Sequence, residues 1–264
     1  LLQEDLEKSE RRTTMSSYPI YIQPKSFTVI SESLPPLPQA PPKPKLIKKN
    51  WLEKLILWED EWEDREINAR RLMKYGKDYY NTKGGKKILD STVVDLFREK
   101  KKQEFISQTE PADISFRDVK QGRYEESFYY ALKAHFGGKI HTNLELRLPS
   151  GSGYIPDIAY IDDTTGLCID IEIDEPYSLP EKQPIHCIGD DNYRNEYFNS
   201  KGWFVIRFAE EQVAQQPEAC CEYVRAIIEH ICDGKPIDSS VNLVNKWTYW
   251  DAKEMADKNY RDSY

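Results

Sequence analysis

Residues 168–176 read Cys-Ile-Asp-Ile-Glu-Ile-Asp-Glu-Pro. Successive side chains of a β-strand point to opposite faces, so a strand here puts Ile169, Ile171 and Ile173 on one face and Asp170, Glu172 and Asp174 on the other. Three carboxylates in a row repel one another and resist burial. Such a row either lies on an edge strand with its acidic face in water or gathers round a cation. The pair Pro156-Asp157 precedes it. If the segments on either side of a turn at 162–166 form a hairpin, Asp157 comes near Glu172. Two carboxylates, completed by water and phosphate oxygens, suit Mg²⁺, a hard octahedral ion that keeps several waters. Such an ion polarises a phosphoryl oxygen and acidifies a bound water. A Ca²⁺ or other structural metal site in an unrelated α/β protein is a further reading, although the EF-hand spacing is missing.

These residues need a scaffold, and the pattern from Gly122 onward supplies one. Tyr124, Phe128, Leu132 and Phe136 recur every four residues and predict a helix over 123–136. Gly137 and Gly138 end it. Strands are expected over 139–148, 154–162, 168–174 and 203–208, a helix over 191–201 closed by Gly202, and a final helix over 211–232. Helix, three strands, helix, strand, helix implies a mixed sheet with helices on both faces.

Four motifs in this order resemble the PD-(D/E)xK nuclease superfamily, in the branch similar to very-short-patch-repair endonucleases. They are Glu125 with Phe128 and Leu132, then Pro156-Asp157 with Glu172-Ile173-Asp174-Glu175-Pro176, then Asp191 with Arg194, then Gly202-Trp203 with Val205-Ile206-Arg207-Phe208. The resemblance implies an α/β, restriction-endonuclease-like mixed central sheet flanked by helices. It implies Asp157 and Glu172 as metal ligands, with Glu125 on the first helix supporting the metal or its water and Glu126 as the substitute. Asp174 falls where the superfamily usually has the lysine that handles the attacking water. There it would be a third metal ligand, or a lysine from elsewhere (Lys139, Lys182 or Lys201) would supply the charge, or the domain would be inactive. Arg194 would either pair with Asp191 at i, i+3, worth a few tenths of a kcal/mol, or point at the metal site or the scissile phosphate. Arg207, inside an apolar strand, needs a carboxylate or a phosphate. His186 is loop surface or a proton donor to the leaving group.

The implied activity is Mg²⁺-dependent hydrolysis of nucleic-acid phosphodiester bonds, with Mn²⁺ as a substitute, on DNA in a repair, restriction, transposition or defence setting. The competing expectation is an inactive nuclease-fold binding or assembly module. The formal net charge of −8 weighs against unaided DNA binding, because phosphate contacts need Lys and Arg. A bound divalent cation would reverse the local field, and a protein partner could grip the DNA.

The 264 residues are expected to divide into a Pro-rich flexible arm (1–50), a mostly helical region (51–119), the nuclease-like domain (120–235) and a C-terminal extension (236–264). The arm contains LPPLPQAPPKPK, a linker or a docking peptide for a partner. Trp51, Leu55, Trp58 and Trp62 form an apolar stripe on an expected helix. A second helix in 88–106 carries the basic run 98–102, a weak phosphate contact. Five cysteines in no CxxC pairing point to a reducing cytosol, and no apolar run suggests a membrane span.

Overall fold

The computed structural model describes residues 17–32, 91–117, 121–151 and 153–264. The chain divides into two compact units, residues 1–25 with 105–264, and residues 26–104. The Pro-rich stretch and the tryptophan stripe lie outside the described residues. The second unit holds most of helix α1 (Lys25–Glu32) and of helix α2 (Ser91–Ile106). Within it the Lys102 ammonium sits 5.6 Å from the centre of the Phe27 ring, and Lys101 pairs with Glu104 at 2.5 Å. Two cations of the basic run are therefore engaged locally.

The first unit is mixed α/β. Its main sheet has five strands: β2 (Ile20–Ile22), β9 (Phe204–Ala209), β8 (Leu167–Asp174), β7 (Ile158–Asp162) and β4 (Ile140–His141), in that spatial order. β8 runs parallel to β9, and the other pairings are antiparallel. Three strands, β3 (Asp113–Ile114), β5 (Leu144–Arg147) and β6 (Gly153–Tyr154), make a small second sheet, and β1 (Ser17–Tyr18) pairs with β10 (Val244–Asn245). The β7–β8 turn closes where the Gly166 N–H donates to the Asp162 carbonyl at 2.7 Å. Gly166 has φ +83°, and an added Cβ would meet the Ile106 carbonyl at 3.0 Å, so both conformation and space call for glycine.

All eight residues of β8 are buried: β7 and β9 pair with its two edges, and helices cover both faces of the sheet to which its side chains point. The isoleucine face packs beneath helix α3 (Glu125–Phe136) and helix α6 (Pro217–Asp233). There Phe128 meets Phe208 edge-on at 5.7 Å, and Phe208 meets Tyr223. Fully burying each isoleucine contributes about 1.5–3 kcal/mol. The acidic face lies under helix α4 (Asn192–Ser200), whose Phe198 joins Trp203, Val205, Cys168 and Ala159 in a buried cluster. The edge strand with its carboxylates in water is therefore excluded.

Several sequence expectations need correction. The strand expected over 139–148 splits in two at Asn143, which has φ +62°, and its halves join different sheets. The strand expected over 154–162 breaks at Pro156, which has no N–H to give a ladder, leaving β6 and β7. The helix expected over 211–232 is two, α5 (Glu210–Gln215) and α6, because Pro217 cannot continue the first and instead occupies the opening turn of the second. Residues 17–22 are not part of a flexible arm, since they supply β1 and edge strand β2. The segment 236–264 is integral to the first unit. It carries β10 and helix α7 (Tyr249–Asp257), and its buried Arg261 grips Glu210 at 2.5 and 2.6 Å and the Tyr177 carbonyl at 2.8 Å.

Candidate metal centre

The β7–β8 register pairs Ile158 with Ile171, so Asp157, one residue before β7, falls opposite Glu172. The contact is direct. The Asp157 N–H donates to Glu172 Oε1 at 3.3 Å, and Asp157 Oδ2 accepts from the Ile173 N–H at 2.8 Å. Glu125 approaches from the first turn of α3, its carboxylate held by the Gly122 N–H at 2.5 Å. Burial, Glu172 and Glu125 together push the Asp157 pKa well above the usual carboxylate range. Burial, then Glu175 and Glu172, raise Glu125 despite the Gly122 N–H. Burial would raise Glu172 too, but Arg194 and Arg207 outweigh it and hold Glu172 low. Glu172 is thus the anion of the group, and without a cation its neighbours are driven toward protonation.

Asp170, two residues earlier on the same face, is fully buried, and no hydrogen-bond partner meets either oxygen. Burial and the Glu172 charge raise its pKa strongly. As the neutral acid it can share its proton with Glu172.

Asp174 belongs to a different constellation. Arg207, fully buried, grips it in a bidentate fork at 2.6 and 2.9 Å, the Tyr18 hydroxyl donates to it at 2.7 Å, and His186 and Lys246 stand 3.5 and 3.7 Å away. Burial opposes its charge, yet Arg207 and His186 keep its pKa low. The same guanidinium donates to Asn195 at 3.0 Å and reaches Asp191 at 3.2 Å and Glu172 at 3.6 Å. Arg207 therefore links the two constellations and has the carboxylate partners its strand position demanded.

Arg194 does not form the surface pair with Asp191. Its Nη2 donates to Glu172 Oε1 at 2.5 Å and to the Ile155 carbonyl at 2.6 Å, and the guanidinium rests 5.6 Å from the Tyr154 and Phe198 ring centres. His186 is not loop surface. Its Nδ1 lies 3.1 Å from Asp191 and 3.5 Å from Asp174. Burial lowers its pKa, but the two carboxylates win and lift it to about 9. Lys139, Lys182 and Lys201 are spent elsewhere, on Asp162, Asn259 and Glu110.

A cleft opens beside Glu125 and Asp157. One hollow, about 350 Å³, is also lined by Arg117, Gln121, Thr142 and Pro156. The adjoining one, about 210 Å³, shares Gln121, Glu125, Thr142 and Asp157 and adds Glu126, Tyr129 and Tyr130. Glu126 is exposed at this rim. Sequence reasoning missed Tyr18, Asn195 and Lys246, whose roles come from tertiary proximity alone, and it took Asp170 for a strand-face residue only.

The donor set of Asp157, Glu172 and Glu125 is all oxygen and suits a hard divalent ion. Burial first, and carboxylate repulsion after it, raise two of the three pKa values, and a cation there would offset both by favouring the ionised forms. The three do not form a closed cage. Among the described residues, the groups of three whose ligand atoms all lie within 4.8 Å of one another are Asp174–His186–Asp191 and His135–Glu218–Glu222. The first is already filled by Arg207 and Lys246, and the second has the Arg225 guanidinium 2.8 Å from His135. Among the described residues no helix is long and apolar enough to cross a membrane. No family model, no curated protein and no solved structure matches the chain.

Proposed function

We propose that the first unit is a Mg²⁺-dependent nuclease, with Mn²⁺ as a substitute, that hydrolyses phosphodiester bonds of nucleic acid, DNA foremost, on a restriction-endonuclease-like scaffold. One observation carries this reading: Asp157 and Glu125 line an open cleft, and Asp157 meets the buried Glu172 across the β7–β8 hairpin behind it. Asp157 and Glu172 are the ligands, and Glu125 orients water at the cleft wall. A bound ion would polarise a phosphoryl oxygen and acidify a water. Arg194 positions Glu172 through its Nη2 contact. Asp174 is assigned to holding Arg207 beneath the site rather than to the ion. The acidic balance of the chain leaves phosphate neutralisation to the ion and to a partner protein.

A second reading, a non-catalytic nuclease-fold module, has its own support. Guanidinium groups lie against both oxygens of Glu172, and the three lysines considered as replacements are engaged elsewhere. The deciding experiment incubates the full chain with plasmid, linear DNA and RNA in Mg²⁺ or Mn²⁺, beside Glu172→Ala and Asp157→Asn. Cleavage by the parent that both variants lose by about 100-fold or more supports the enzyme. No cleavage, together with no Mn²⁺ binding by calorimetry, refutes it in favour of the module.

A further inference from the structure

We infer that Tyr130, braced by Tyr129, is a stacking platform for an unpaired base, so that the nucleic acid entering this cleft is single-stranded or locally unpaired beside the phosphate to be cut. The inference rests on the nuclease reading and specifies its substrate.

Helix α3 carries two sets of aromatic side chains. Phe128 faces inward and is fully buried. Tyr129 and Tyr130 turn the other way and line the same hollow as Glu125 and Asp157. Their rings lie 5.3 Å apart at 68°. Tyr129 is held by Lys133, whose Nζ donates to its hydroxyl at 2.7 Å, while Tyr130 is 61% exposed. A large aromatic side chain left in water one turn from a carboxylate cluster presents a π-face to whatever occupies the cleft.

The surrounding charge selects the occupant. Among the described residues, the one cation lining either hollow is Arg117, which pairs with Glu145 at 2.7 Å, and Glu126 adds a carboxylate at the rim. A duplex shows its phosphates outward and keeps its base faces stacked, so this acidic rim repels what a duplex offers first. An unpaired strand carries the same phosphates, but it can swing a base onto an aromatic ring, a contact that a closed duplex cannot make and that offsets part of the repulsion. The Gln121 amide and the Thr142 hydroxyl border the same hollow and supply donors and acceptors for the edge of such a base.

The test uses the full chain in Ca²⁺ with short single strands, duplexes with one unpaired nucleotide and perfect duplexes, each carrying 2-aminopurine at successive positions. Stacking predicts quenching at one position, tighter binding of the unpaired substrates, and an affinity loss of about 10- to 100-fold in Tyr130→Ala that Tyr130→Trp restores. Circular dichroism verifies that the variants fold. Binding and Mg²⁺-dependent cleavage with no quenching at any position, or with unchanged affinity in Tyr130→Ala, would overturn the platform and leave the nuclease reading standing. Neither binding nor cleavage of any of these substrates would overturn both.

Discussion

Replacing Asp174 by Asn separates a structural carboxylate from a metal ligand, because the two roles predict opposite outcomes. The side chain is fully buried and meets Arg207 twice, at 2.6 and 2.9 Å, besides Tyr18 at 2.7 Å. Removing one member of a buried ion pair costs about 3–5 kcal/mol, since the other charge is left without its partner. Arg207 would keep Asp191 at 3.2 Å and Glu172 at 3.6 Å, which places the expected loss at the low end, about 3 kcal/mol. With a urea slope of about 2–3 kcal/mol/M, the unfolding midpoint should fall by about 1–1.5 M. Amide exchange along β8 reports the same loss locally. Mn²⁺ affinity, measured by calorimetry under conditions where the variant is folded, should stay within a few-fold of the parent. A midpoint that barely moves while Mn²⁺ binding disappears would refute the assignment and return Asp174 to the ion.

The His186 imidazolium should make stability depend on pH. Its folded pKa of about 9 exceeds the ordinary value near 6.5, so the stabilisation is complete below about pH 6.5 and fades as pH rises through 9. The stability difference between the parent and His186→Gln should therefore shrink from pH 6 to 9.5, and a difference that widens would contradict it. Arg261→Ala should destabilise the first unit by about 3 kcal/mol, with Arg261→Lys recovering part of that in urea titrations; equal stability of parent and Ala variant would show that the Glu210 contact is idle. Burial pushes the Cys168 thiol up to about 12 and raises Cys220 as well. Both should resist alkylation in the folded chain and react once it unfolds, which peptide mapping after timed iodoacetamide exposure would reveal.

Much of the site is legible along the chain where the signal is local. The alternation of isoleucine and acid over 169–174 announces β8 and assigns its two faces. The turn at 162–166 then brings Asp157 to Glu172 by counting residues alone. What escapes is everything settled by distant segments. The Tyr18 hydroxyl meets Asp174 across 156 residues, and Lys246 reaches Asp191 across 55. No periodicity encodes either contact. The resemblance offered Asp174 as a further ligand, but the paired strand puts Arg207 within its reach, in a charge-assisted bidentate fork that no residue spacing announces. The missed breaks at Pro156 and Pro217 have a simpler origin, since apolar periodicity continues through both prolines while the backbone hydrogen bonding cannot.

The edge strand contributed by residues 20–22 decides what can be cut out of this protein and still fold. Trimmed to residues 120–235, the polypeptide would leave one whole flank of β9 with bare amide and carbonyl groups beside Val205 and Ile206. It would also lose the phenol that caps Asp174 and the guanidinium that neutralises Glu210. Raw β edges recruit other chains. A recombinant piece with those boundaries should precipitate or self-associate, whereas one that also keeps residues 17–22 and 236–264 should remain monodisperse.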